Sequence, residues 1–167
     1  SVIRGAGKGT VSAVAYAALG DITASQFQSL ANIQRELGAD VRLSNRQNVV
    51  FRGLQEEQLR TLFDRLEAIG MARPGAELAR DVVACPGADT CNIAVTQSRG
   101  LAKAIGERLE EEGLAEVGGV RINISGCTNS CGQHHASDIG LFGAERRAHG
   151  RSLPGYQLLL GGYVGDE

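Results

Sequence analysis

The feature that most narrows this 167-residue chain is the placing of its four cysteines: Cys85-x5-Cys91, then 35 residues, then Cys127-x3-Cys131. Thiolates bind soft metals, and four of them suit a tetrahedral zinc ion or an iron–sulfur cube. Structural zinc sites favour gaps of roughly two to four residues, so a five-residue gap beside a three-residue gap fits them poorly. A cube spreads its irons over several ångströms and takes its ligands from wider loops. Pro86-Gly87 after the first cysteine, Gly126 before the third and Gly132 after the fourth let backbone N–H groups turn toward cluster sulfurs. Residue chemistry therefore favours the cluster, with zinc, disulfides and unrelated buried thiols as the alternatives.

Composition excludes several other classes. Hydrophobic residues at 43% and charged residues at 22% match a folded globular chain. The length suits one ordinary domain or two small ones. A net charge of −2 and a pI of about 5.9 argue against a nucleic-acid or membrane-surface binder, which would need excess Lys and Arg. No apolar run approaches the ~18 residues of a membrane span and the start carries no signal-peptide pattern, so the expected setting is the cytoplasm. Glycine is the outlier, 23 of 167, about twice the usual ~7%. That excess implies positive φ or close backbone approach at many positions. Gly5-x-Gly7 is an incomplete phosphate-loop pattern with no strand expected before it.

Periodicity divides the chain. Gly9 to Leu19 reads as a strand, with Val14 and Tyr16 on one face. Thr23 and Gln26 form a capping box for a helix whose Phe27, Leu30, Ile33 and Leu37 share a stripe, stopped by Gly38. Val41–Leu43 and Val49–Phe51 read as strands around the polar turn Asn45–Asn48. A second helix runs from about Glu56 to Gly70, with Leu59, Leu62, Phe63, Leu66 and Ile69 on one stripe. This β-α-β-β-α order predicts a small sheet covered on one face by two helices.

Met71–Glu77, with Pro74 and Gly75, reads as a linker. Beyond it, Val82–Ala84 enters the first cysteine pair, and Ala94–Glu112 is expected to be helical with a solvated acidic face. Val120–Ile124 is a strand feeding the second pair. Ile139–Phe142 and Tyr156–Leu160 are expected strands separated by a polar loop, Gly143–Pro154.

The stretch Cys85-Pro86-Gly87…Cys91, followed by Ser125-Gly126-Cys127-Thr128-Asn129-Ser130-Cys131-Gly132-Gln133-His134-His135 and Asp138-Ile139-Gly140, resembles the signature of the sulfite and nitrite reductases that couple siroheme to a [4Fe–4S] cluster. Thr128 stands where that family usually has proline. Upstream, Arg42-Leu43-Ser44-Asn45-Arg46-Gln47-Asn48 resembles the ferredoxin-like half-domain that precedes the cluster domain. The resemblance implies an α+β chain: a ferredoxin-like half-domain over about 1–72, then an α/β siroheme/[4Fe–4S]-binding domain over 73–167. It also implies one half of a two-half enzyme, the later half, incomplete after Gly161-Gly162-Tyr163.

By this resemblance Cys85, Cys91, Cys127 and Cys131 ligate the cluster, and Cys131 also bridges to the siroheme iron. The implied reaction is the six-electron reduction of sulfite to sulfide or nitrite to ammonia, with electrons from ferredoxin or a flavoprotein. An anionic substrate and a carboxylate-rich cofactor call for cationic side chains. Arg46 and Arg42 are the expected catalytic residues, set on one face if their segment stays extended, with Arg52 a further candidate. Arg46, Gln47, Asn129, Gln133, His134, Thr96 and Cys131 are the expected cofactor contacts, His135 being weighed beside His134. The competing reading is a [4Fe–4S] electron-relay module without siroheme.

Overall fold

The computed structural model describes residues 1–162 apart from Ala6 and Lys8. Residue contacts divide the chain into two compact units, residues 1–77 and 78–167. Among the described residues each unit holds one four-stranded sheet, and no helix is long and apolar enough to cross a membrane.

The first unit contains strands β1 (Val2–Arg4) and β2 (Val11–Ala15), helix α1 (Ala24–Leu37), strands β3 (Asp40–Leu43) and β4 (Val49–Leu54), and helix α2 (Gln58–Glu67). Its sheet is antiparallel in the order β1-β2-β4-β3. Helix α1 begins where expected: Thr23 and Gln26 exchange side-chain-to-backbone bonds as a capping box. It ends on Gly38 in the left-handed region at φ 64°, a conformation that costs glycine nothing. Leu30 and Ile33 of α1, Leu62 and Leu66 of α2, and Phe51 and Leu54 of β4 build the core. Phe27 and Phe63, placed on the buried stripes by periodicity, lie at the edges of those faces, 52% and 44% exposed.

Strand β1 was not expected, and it precedes Gly5. Its partner, β2, is an antiparallel strand and not a helix whose N-terminus could take a phosphate; Ala6 and Lys8 of the Gly5-x-Gly7 pattern lie outside the described residues. Strand β2 stops at Ala15, short of Tyr16, where a 3-10 turn over Ala18–Gly20 takes over. Met71–Glu77 is no loose linker: Met71 is 3% exposed in the core, and its N–H bonds the Leu66 carbonyl.

The second unit contains β5 (Val83–Ala84), α3 (Ser98–Glu111), β6 (Ile122–Ser125), β7 (Ile139–Ala148) and β8 (Arg151–Leu160), the sheet running β5-β6-β7-β8. β5, β6 and β7 are mutually parallel, and β8 returns antiparallel to β7. Helix α3 starts four residues later than its apolar spacing suggests, because the Val95 and Thr96 amides bond the Gly126 carbonyl instead of a helical turn. The expected polar loop at 143–154 is a continuous hairpin turning at His149-Gly150. Its residues are largely exposed, so burial imposes no apolar alternation there.

Candidate metal centre

Parallel strands deliver ligands at their carboxyl ends, and both cysteine pairs follow such ends. Cys85 comes directly after β5, and its N–H bonds the Ile124 carbonyl, extending the β5–β6 pairing by one residue. Cys127 lies two residues beyond β6. The intervening Gly126 joins the loops: its N–H donates to Cys85 Sγ at 3.1 Å, and its carbonyl accepts the amides of Val95 and Thr96 at 2.8 and 3.2 Å. A Cβ on Gly126 would stand 2.9 Å from Gly87 Cα and 3.0 Å from both Ala94 Cβ and the Thr96 carbonyl oxygen. Glycine is therefore required for the two loops to touch. Gly87, at φ 63°, is pressed against Ser98 and Thr96 from the other side.

All four thiols are free. Cys85 is buried, Cys91 and Cys127 are half-buried and Cys131 is exposed. Cys85 Sγ also lies 3.4 Å from Ser98 Oγ, which donates to the Cys85 carbonyl at 2.7 Å. Among the described residues no three His, Cys, Asp or Glu side chains converge where a single ion would sit. The donor set, the N–H aimed at sulfur and the glycine cradle fit a cluster.

His134 is fully buried, with Nδ1 2.8 Å from Ser125 Oγ and its ring stacked on Phe142 at 4.8 Å. Burial, and then the neighbouring His135, push its pKa below the ordinary histidine value. Its Nε2 is buried with no hydrogen-bond partner among the described residues, the kind of orphan that a bound group can complete. Thr96 is buried beside the Tyr156 hydroxyl, whose pKa burial raises. Asn129 and Gln133 are exposed, Gln133 at φ 58°.

The arginines belong to the first unit. Strand β3 ends at Leu43, so Arg42 and Arg46 do not share an extended face: Arg46 sits in the turn before β4. Arg42 is exposed and pairs with Asp40, as does Arg52 at 3.4 Å. The Arg46 side chain is only 12% exposed and meets Glu77 at 3.5 Å. Gln47 is held at φ 65° against Gly20.

The nitrite and sulphite reductase 4Fe-4S domain family matches residues 75–167, and the ferredoxin-like half domain of nitrite and sulfite reductases matches residues 4–69. The chain belongs to the nitrite and sulfite reductase family. A ferredoxin–nitrite reductase of Synechococcus elongatus is 37% identical over 148 residues, covering 88% of this chain and 29% of the relative. A sulfite reductase [ferredoxin] 2 of Mycolicibacterium paratuberculosis is 29% identical over 155 residues, covering 89% of this chain and 28% of the relative. The NirA protein of Mycobacterium tuberculosis superposes with a TM-score of 0.80 at 27% identity, covering 99% of this chain and 31% of that one. The chain thus spans under a third of the length of these relatives.

Family membership brings an iron–sulfur domain and an α+β fold with a ferredoxin-like half. Sequence reasoning missed Asn123, the second polar position of the alternating stretch Val120–Ile124, and the bracing role of Ser98.

Proposed function

We propose that Cys85, Cys91, Cys127 and Cys131 hold one [4Fe–4S] cluster, and that Cys131 also ligates a siroheme, in a reductase of sulfite or nitrite. The observation that carries this reading is the set of three bonds at Gly126, which bring the Cys85, Cys91 and Cys127 loops together with an N–H on sulfur. The bound pair would supply single-electron storage beside an iron that takes the anion. Cys131 is the exposed thiol of the set and so the one able to face a second cofactor. Thr96, Asn129, Gln133 and His134 are its candidate contacts in this unit; taken by itself, the first unit offers Arg46 and Gln47 as candidate cofactor-binding residues and Arg46 and Arg42 as candidate catalytic cations. Four unpaired thiols suit a reducing setting, the cytoplasm in this reading.

Electrons would come from ferredoxin, as the names of the relatives state for those proteins, or from a flavoprotein. The rest of a longer enzyme would complete the cationic pocket. The second reading is a cluster module that relays electrons without siroheme. The visible spectrum with metal analysis separates the two. Siroheme bands with one iron beyond those of the cube support the reductase; a cube without tetrapyrrole supports the relay.

A further inference from the structure

Strand β6 carries two polar side chains on one side, Asn123 and Ser125, while Ile122 and Ile124 on the other side are buried in the core. Polar side chains in a covered parallel strand need hydrogen bonds to be tolerated. Both commit theirs to the segment after Cys131. Asn123 Nδ2 donates to the Gly132 carbonyl at 2.9 Å and the Gln133 carbonyl at 3.4 Å. The Gly132 N–H donates to Ser125 Oγ at 3.0 Å. One peptide neighbour of Cys131 is thus gripped at its N–H and its C=O by alternate side chains of one strand. A Cβ on Gly132 would collide with the Ile124 carbonyl, so the grip also depends on glycine.

Ser125 is itself held. With one lone pair taken by Gly132, its hydroxyl proton has His134 Nδ1 as acceptor at 2.8 Å. That assignment leaves the imidazole neutral with its proton on Nε2.

The gripped segment is strained. Ser130 and Gln133 both stand at φ 58°, a left-handed conformation that costs any residue with a Cβ. Such strain persists where the surroundings over-determine it. Here the two strained residues bracket Cys131, whose own side chain is exposed.

We infer that Asn123 and the Ser125–His134 pair are positioning residues that preset the Cys131 thiolate as a cluster ligand. This rests on the cluster reading. Without the grip the turn relaxes, and the Cys131 Sγ–Fe bond becomes the weakest of the four. Under ferricyanide the cube then gives one electron to the oxidant and one ferrous ion to solvent, leaving a [3Fe–4S] centre and a free Cys131 thiolate.

The test uses the full chain reconstituted with iron and sulfide as wild type, Asn123→Leu, Ser125→Ala and the control Ile122→Val, which alters the opposite side of the same strand. Electron paramagnetic resonance after ferricyanide is expected to show the three-iron signal in the two grip variants and not in the control. Retention of iron against a chelator should fall roughly tenfold, as for outer partners of other metal ligands. Grip variants that match wild type in both readouts overturn the inference while leaving the cluster intact. A wild type that takes up no iron and sulfide removes the cluster reading and this inference with it. If Ser125→Ala does not fold, Asn123→Leu at its half-buried site decides the matter.

Discussion

The backbone N–H of Gly126 donates to the sulfur of Cys85 at 3.1 Å. It does so only because the residue between β6 and Cys127 has no side chain. In Gly126→Ala the added methyl meets Gly87, Ala94 and the Thr96 carbonyl, two of them backbone contacts that cannot rotate away. Overpacking of this kind costs about 1–3 kcal/mol. The expected result is a chain that folds with lower stability and takes up less iron. Wild-type uptake at wild-type stability would contradict this.

In the first unit, Asn48 is fully buried, and its Oδ1 accepts the Ala17 N–H at 3.0 Å. Asn48→Ala leaves that donor buried and unpaired, at a cost of about 1–3 kcal/mol. Urea unfolding should show a lower midpoint with an unchanged slope. An unchanged midpoint would mean that water replaces the lost acceptor.

Asn48 also marks where sequence reading stops. The polar run Asn45–Asn48 was legible as a turn, but polarity alone does not say which of its residues turns inward to satisfy a backbone amide. The capping box at Thr23 and the left-handed stop at Gly38 were legible because they are local. The family was legible because the residues flanking the cysteines are distinctive. The pairing of Arg46 with Glu77 was not, since it joins residues 31 apart. The hairpin at 143–154 was hidden for a different reason: an exposed antiparallel pair can be polar on both faces and leave no period to read.

His134 gives the chain a pH dependence. Its folded pKa lies below the ordinary 6.5, first through burial and then through His135. Between the folded value and 6.5 the unfolded chain binds more protons, so stability rises with pH across that window. The contribution is complete above 6.5 and is lost as pH falls through 6.5 toward the folded value. In the metal-free chain, moving from about pH 7.5 to about pH 5.5 should lower the urea midpoint in wild type and lower it less in His134→Gln. Equal drops in both would assign the dependence elsewhere.

Cys131→Ser removes the exposed thiol. In the complete reductase it is expected to lose siroheme coupling as well as the cluster, seen as loss of inorganic sulfide and a change in the visible bands. Full reductase activity in that variant would overturn the bridging role.

The functional reading depends on Cys85, Cys91, Cys127 and Cys131 together holding one cube. Iron, inorganic sulfide and zinc measured together on the anaerobically purified chain test it most directly. Sulfide in the amount of a [4Fe–4S] cluster is expected, with as much iron and one further iron wherever siroheme is bound; the sulfide and the cube iron are lost when Cys91 is changed to Ser. One zinc per chain with no inorganic sulfide would contradict it.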